Sequence, residues 1–156
     1  MSIVFSRVDD RLVHGRVIND WIAEIKPTHL VIIDDLLAED KFMSKIFRAL
    51  VPIWLNIEIL PCSSAVSFLK TVDTGENRIF ILAKSPRVFV MLIKSGIKIS
   101  EITFADKEYQ KNKLEVSTDN KHAINLLISN GVMLYAINSP TDSKIPMEAY
   151  QFERTI

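Results

Sequence analysis

Two short runs of consecutive apolar residues, at positions 30–33 and 79–83, most constrain the fold of this chain. A strand that is apolar at every position is buried on both faces, which is typical of a parallel sheet between two layers of helices. Segments with apolar residues at helical spacing separate most of the predicted strands. The sequence therefore predicts an α/β fold, an open, mainly parallel, doubly wound sheet with helices on both faces.

The remaining elements are predicted from periodicity and from capping and turn residues. One helix begins near Gly15 or Arg16 and ends before Pro27, and another is capped by Ser63 or Ser64. A third is capped by Asp119. Further helices are expected at residues 38–51 and after 84–87. Strands are expected at residues 3–8, 30–33, 55–60, 79–83, 97–104 and 132–137, with a polar turn at 105–113 and a short apolar segment at 114–116.

Length and composition favour a single cytoplasmic domain over residues 1–156. Lys plus Arg equals Asp plus Glu, at 19 each, so no net charge points to nucleic acid or to a membrane surface. The apolar runs are too short to span a membrane, and the first residues lack the pattern of a secretory signal. One cysteine, Cys62, allows no internal disulfide and is typical of a reducing compartment.

A polar segment at residues 7–17 follows the first predicted strand and precedes the first helix, the place where open α/β sheets bind ligands. His14 is the main candidate for catalysis, because a neutral imidazole is a nucleophile. Gly15 allows an anion to approach the backbone, and amides at a helix start favour phosphate. Arg11 and Arg16 are suited to neutralising phosphoryl oxygens through forked hydrogen bonds.

The carboxylates of this segment should not face a phosphoryl group, because like charges repel. Asp9 or Asp10 is suited to accepting a hydrogen bond from one ring nitrogen of His14, which would leave the other nitrogen free. The segment therefore predicts transient phosphorylation of His14. The alternative is a loop histidine in a salt-bridged turn, and residue spacing alone leaves both interpretations open.

Two other loops follow predicted strands, residues 84–87 and 139–143. Ser85 joins Asp10, Arg11, Gly15 and Arg16 in the set expected to bind phosphate, although helix capping explains a serine there equally well. The three histidines have no metal-ligand spacing and no second cysteine is present, so neither a metal site nor a cofactor is expected. A glycine-rich nucleotide loop is also missing from the sequence.

The run Arg-Val-Asp-Asp-Arg-Leu-Val-His-Gly at residues 7–15 closely resembles the active loop of one protein family. That family is the IIB component of the mannose/fructose/sorbose family of the bacterial phosphoenolpyruvate-dependent sugar phosphotransferase system. Residues 32–35 resemble its second strand, Ser85-Pro86 the turn after its fourth strand, and residues 140–144 its C-terminal signature. The resemblance extends over essentially the whole chain, whose length matches a free-standing IIB domain.

This resemblance implies a phosphocarrier with the doubly wound fold predicted above. His14 would accept a phosphoryl group from a phosphohistidine on the IIA component and pass it to a sugar held by the IIC and IID membrane subunits. The chain would then be a component of a protein-phosphohistidine–sugar phosphotransferase. It would bind no nucleic acid and would not insert into the membrane, and a homo-oligomer is left open.

Two departures from the family pattern bear on efficiency and specificity. Arg16 stands where the family usually has Gln, and a guanidinium there would hold a phosphoryl group more strongly. The Gly-Gly pair usual after the fifth strand is missing from residues 103–108. These two departures leave a second hypothesis open, a regulatory or partner-binding module on the same scaffold. An unrelated nucleotide or sugar enzyme would need a phosphate loop or a second catalytic group that the sequence does not provide.

Overall fold

The computed structural model describes residues 2–105 and 116–151. Its strands are β1 (Ile3–Val8), β2 (His29–Ile33), β3 (Asn56–Leu60), β4 (Ile79–Ala83), β5 (Glu101–Phe104), β6 (Met133–Ala136) and β7 (Ile145–Pro146). Its helices are α1 (residues 15–25), α2 (Asp35–Glu39), α3 (Lys41–Leu50), α4 (Cys62–Val72), α5 (Pro86–Lys94) and α6 (Thr118–Ser129).

The strands form one sheet in the order β3-β2-β4-β1-β5-β6-β7. All neighbouring pairs are parallel except β6 and β7. β4 lies between β1 and β2, and each of its five residues is buried. The predicted open, mainly parallel sheet is confirmed, and so is the burial of its most apolar strand on both faces.

Helices pack on both faces of the sheet, around two apolar clusters. Alternate residues of β4 serve opposite clusters, as the two-residue period of a strand requires. Ile79 and Ile81 pack with α4, α5 and α6. Phe80 and Leu82 pack with α1, α2 and α3 in the other cluster, which we call the α1 cluster. The doubly wound arrangement predicted from the sequence is therefore confirmed.

The helix predicted at residues 38–51 is confirmed as α3, but its predicted start is wrong because the separate helix α2 ends at Glu39. Asp34 caps α2 by accepting from the amide of Leu37 at 2.9 Å. Asp40 has extended backbone angles and caps α3 by accepting from the amide of Met43 at 3.0 Å. A side chain that satisfies free amides favours a new helix start, so the helical periodicity concealed a break at Asp40.

Two other predicted caps are wrong. α4 begins one residue before the predicted cap Ser63, and the Cys62 amide donates to Asp35 Oδ1 at 2.7 Å. Ser117 replaces Asp119 as the cap of α6. The N-cap positions are Pro61 and Ser117, two residues before Ser63 and Asp119 respectively.

The strand ends also differ from the predicted ones. The segment 97–104 is a strand only from Glu101 onward, 132–137 is a strand at Met133–Ala136, and β7 was not predicted. The end of α1 before Pro27 is confirmed, since Lys26 has a left-handed φ of 51°. The predicted turn at 105–113, the segment 114–116 and the loop without a glycine pair fall largely outside the described residues.

Candidate functional site

The loop between β1 and α1, residues 9–14, lies at the edge of the sheet where the parallel strands end. The Asp9 amide donates to the Ala83 carbonyl at 2.9 Å, so pairing with β4 continues one residue beyond β1. Leu12 has a φ of 54°, uncommon for a residue with a branched side chain, yet its side chain is buried in the α1 cluster beside Val13. Apolar packing therefore holds the loop in one strained conformation.

His14 contacts a fully buried carboxylate. Its Nε2 lies 2.9 Å from Asp9 Oδ2, and 17% of the His14 side chain is exposed whereas Asp9 is wholly buried. A carboxylate accepts a hydrogen bond from a protonated ring nitrogen, so in the neutral ring this contact favours the hydrogen on Nε2 and the lone pair on Nδ1. Of the two carboxylates that the sequence left open, the structure brings Asp9 to the ring. Asp10 is exposed.

Two guanidinium groups also face Asp9. Arg7 Nε lies 3.7 Å from Oδ2, and both side chains are wholly buried. Arg11 Nε lies 3.4 Å from Oδ1, which also accepts from the Arg11 amide at 3.1 Å. Arg11 is 57% exposed. Because a buried carboxylate needs compensating charge and hydrogen bonds, these groups explain how Asp9 is tolerated inside the protein.

Arg7 links this carboxylate to the end of β6, a role that sequence reasoning missed. Its Nη1 donates to the Ile137 carbonyl at 2.9 Å and to Thr103 Oγ1 at 3.4 Å. The guanidinium lies 4.9 Å from the centre of the Trp21 ring, whose Nε1 donates to the Asn138 carbonyl at 2.9 Å. Trp21 is buried in the core, and its polar edge also orders the turn after β6.

The start of α1 presents backbone amides beside His14. The His14 carbonyl accepts from Ile18 at 3.1 Å, and a Cβ added at Gly15 would have as its nearest neighbour the side chain of Asn19, at 4.0 Å. Arg16 forms an exposed pair with Asp20, Nη1 to Oδ2, at 3.5 Å. The middle of the helix, Val17–Ile22, is a π-helix, a geometry frequent at functional sites.

The loop after β4 meets the same sheet edge, because Val8 and Ala83 are paired. Ser85 lies in this loop and caps α5, accepting from the Arg87 amide at 3.2 Å, and its hydroxyl donates to Asn120 at 2.9 Å. The predicted phosphate ligand thus serves as a helix cap here, the alternative that the sequence left open.

The segment 139–143, the second of the two loops that follow predicted strands, forms a turn held by hydrogen bonds between its own residues. The Ser139 amide donates to Asp142 Oδ2 at 3.1 Å, and the hydroxyls of Ser139 and Thr141 lie 3.2 Å apart. This turn begins two residues after Ile137, whose carbonyl accepts from Arg7, so it lies near the Arg7 guanidinium.

A groove of about 230 Å³ lies beside the loop at residues 9–14. Its polar lining is Asp10, Arg11, Asp40 and Lys84, and α2 and α3 contribute apolar side chains that include Leu36 and Phe47. The groove joins the exposed residues of the site to the helix pair that follows β2.

The other candidate groups have structural partners. His29 contacts Thr28 Oγ1 at 3.0 Å. Burial first, and then the nearby Asp35 carboxylate, raise the pKa of the Cys62 thiol.

Within residues 2–105 and 116–151, no cluster of His, Cys, Asp or Glu is arranged to hold a metal ion. No helix in these same ranges has the length and apolar character needed to cross a membrane.

Comparison with known proteins gives a consistent result. The sequence pattern described as "PTS system sorbose subfamily IIB component" matches residues 3–155. The sorbose-specific EIIB component of Lacticaseibacillus casei is 25% identical over 117 residues, which cover 75% of this chain and 71% of that protein. The mannose-specific EIIAB component of Escherichia coli is 24% identical over 94% of this chain, which spans 47% of that protein's length.

Solved structures have the same fold. The IIBSor domain of the sorbose permease from Klebsiella pneumoniae superposes with a TM-score of 0.83 at 20% identity, covering 93% of each chain. The manxB structure from Thermoanaerobacter tengcongensis gives a TM-score of 0.78 at 26% identity, covering 92% of this chain and 91% of that one. Since the family pattern matches almost the entire sequence, the chain belongs to the sorbose subfamily of IIB components of the sugar phosphotransferase system.

Proposed function

We propose that His14 carries a phosphoryl group transiently, received from a phosphohistidine of a IIA component and passed to a sugar at the IIC and IID membrane subunits. The observation that carries this proposal is the 2.9 Å contact between His14 Nε2 and the buried Asp9. The contact supports the proposal because it orients the ring and leaves Nδ1 as the nitrogen available to attack, while the ring remains partly exposed. A transferase that positions an existing nucleophile needs little further covalent chemistry.

The transfer itself follows from this geometry. The lone pair of His14 Nδ1 attacks the donor's phosphorus atom, a new P–N bond forms, and the donor's P–N bond breaks with its electron pair returning to the donor ring. With Nε2 still protonated, the phosphorylated ring of His14 is cationic. Asp9 faces that positive charge across a hydrogen bond and stabilises it. A sugar hydroxyl oxygen then attacks the phosphorus atom, so that an O–P bond forms while the P–N bond breaks. The electron pair of the P–N bond returns to Nδ1 and restores the neutral ring, and the hydroxyl proton passes to a base of the membrane subunits or to solvent.

The phosphoryl oxygens would be held by residues at the exposed rim of the loop. Arg11 and Arg16 are both largely exposed, at 57% and 44%, so each can turn from its carboxylate toward a phosphoryl group. The open space at Gly15 permits contact with the first amides of α1. Ser85 adds a hydroxyl at the neighbouring strand end. We expect Asp10 to orient Arg11 or Lys84, because a carboxylate repels phosphate.

The proposed partners rest on the family and on its relatives. One relative carries the name EIIAB, which joins an A and a B component, and this supports a IIA component as the donor. The relatives' names differ in the sugar, sorbose in one and mannose in another, so we assign no sugar. We propose a single domain over residues 1–156, working in the cytoplasm.

The test is a phosphorylation assay with phosphoenolpyruvate, the general phosphotransferase proteins and a IIA component. We expect an acid-labile, alkali-stable label on the wild type and on His122→Ala, a matched substitution of an exposed histidine. His14→Ala should carry no label, and ³¹P NMR should locate the phosphoryl group on Nδ1. Label on His14→Ala would refute the assignment. An unlabelled wild type beside a fully phosphorylated IIA would favour the regulatory module.

A further inference from the structure

The helix α3 and the turn after it expose large apolar side chains. We call this surface the α3 apolar face, defined as Phe42, Ile46 and Leu50 of α3 with Ile53 and Trp54 of the turn that follows. Phe42 is 73% exposed, Trp54 57%, and Ile53 completely. Scattered apolar side chains on a surface are ordinary, but a group from one helix and its adjoining turn marks an interaction site.

Helical geometry shows that this face is additional to the packing face of α3. Residues four apart lie on one side of a helix, so Phe42, Ile46 and Leu50 form a single stripe. Met43 and Phe47 lie on the adjacent side and pack against the α1 cluster. The helix therefore has two apolar stripes, and folding uses only one of them.

A basic stripe follows the α3 apolar face around the helix. It consists of Lys41, Lys45 and Arg48, all exposed, at i, i+4 and i+7. α3 itself contains no acidic residue, and the carboxylate at its start, Asp40, is occupied in capping the Met43 amide. An apolar stripe beside a basic one is typical of a helix that lies on an anionic membrane surface.

We propose that the α3 apolar face and its basic stripe bind the surface of a bilayer that contains anionic phospholipid. The apolar side chains would enter the boundary between headgroups and acyl chains, and Lys41 and Lys45 would lie among the lipid phosphates. Trp54 would lie at the interface, where indole rings are favoured. The proposal concerns peripheral contact only and is independent of phosphoryl transfer.

The charge pattern favours a membrane over a second copy of the chain. In a two-fold symmetric dimer each copy contributes the same patch to the interface. The basic stripes of the two copies would then lie at the same interface and repel each other. α3 supplies no carboxylate to offset them, whereas anionic headgroups supply many negative charges. The apolar and basic stripes lie side by side, as the acyl-chain and headgroup regions of a bilayer do. A bilayer also needs no surface complementary in shape to this face.

The test uses vesicles of phosphatidylcholine alone and of phosphatidylcholine mixed equally with phosphatidylglycerol. The chain has two tryptophans, and Trp21 is buried, so a blue shift of emission reports Trp54 entering a less polar environment. We expect at least about tenfold tighter binding to the anionic vesicles, weakened by added salt. Co-sedimentation with the vesicles gives an independent measure of binding.

Matched variants decide whether this surface is responsible. Lys41→Glu/Lys45→Glu should abolish vesicle binding, whereas Lys70→Glu/Lys94→Glu, the same charge change at exposed sites on α4 and α5, should leave it within about threefold. Phe42→Ser should remove the Trp54 shift, whereas Met133→Ser, at another exposed apolar residue, should keep it. Circular dichroism verifies that each variant is folded.

Three results would overturn the proposal. The first is failure of the wild type to bind anionic vesicles at low salt. The second is equal loss of binding in the α3 variants and their matched controls. The third is a dimer in sedimentation velocity that Phe42→Ser dissociates while vesicles remain unbound, which would assign the face to a second copy of the chain. Since vesicles need no phosphoryl donor, failure of the phosphorylation assay would not affect this test.

Discussion

Removing either member of the buried Arg7–Asp9 pair should destabilise the fold strongly. Breaking a buried ion pair by removing one partner costs about 3–5 kcal/mol. Asp9→Asn leaves the wholly buried guanidinium of Arg7 without its carboxylate, so we expect it to lower the free energy of unfolding by about 5 kcal/mol. Arg7→Met leaves Asp9 with Arg11 and His14 as partners, so we expect a loss of about 3 kcal/mol.

The two costs should not add. A double variant, Arg7→Met/Asp9→Asn, removes both charges and leaves no buried ion uncompensated, so its cost should fall below the sum of the single costs by about 2 kcal/mol. For a domain of this size each kcal/mol lowers Tm by about 2–4 °C. Asp9→Asn should therefore melt about 10–20 °C below the wild type.

Urea unfolding followed by circular dichroism measures all four corners of this cycle. Arg11→Met is the matched control, because it removes a guanidinium from the same carboxylate at an exposed position and should cost less than about 1 kcal/mol. If both buried variants cost as little as the control, or if their costs add, then the pair is not a coupled buried interaction and this reasoning fails.

Three further outcomes follow from local contacts. Arg11→Ala should slow phosphorylation by more than about tenfold, with unfolding free energy changed by less than about 1 kcal/mol, as rapid-quench transfer and urea unfolding would measure. The raised pKa of Cys62 should make its alkylation slow near neutral pH, and Asp35→Asn should shift the rate–pH curve to lower pH. Hydrogen bonds from Ser2 lower the pKa of Asp73, so their stabilisation is complete above the ordinary pKa of an aspartate and is lost as pH falls through the folded-state value. Asp73→Asn should remove this part of the acid dependence, measured by Tm against pH.

The fold was predictable where burial determines residue type at every position. A strand buried on both faces must be apolar throughout, and Ile79–Ala83 met this condition and was located to the residue. Caps were less predictable, because several polar residues near one helix start compete and the winner depends on local backbone angles. Asp40 is the example, since its backbone amide donates to the last turn of α2 and its side chain caps α3, within an apolar pattern that looked continuous.

The sequence singled out His14 from its loop and motif, and the role proposed for it stays a prediction. It left Asp9 and Asp10 open as partners of the ring, and the structure brings Asp9 to it. The missed signal was strand alternation. Alternate residues share one face of a strand, and β1 has Phe5 and Arg7 on the face where Phe5 stacks on Trp21 at 4.7 Å. Asp9 continues this alternation one residue beyond the end of β1. The contact of Arg7 with the Ile137 carbonyl spans 130 residues and no local pattern encodes it.

The partition of charge around Asp9 suits the proposed role, in which His14 would serve two partners in turn. One face of the carboxylate meets Arg7, which is buried and anchored to the end of β6, so it stays in place when partners exchange. The other meets Arg11, which is exposed and able to follow a phosphoryl group. Had both guanidinium groups been exposed, the ring of His14 would lose its orientation whenever a phosphate attracted them. Had both been buried, no cation would remain to offset the arriving charge. A fixed cation beneath the loop and a movable one above it satisfy both requirements with a single carboxylate.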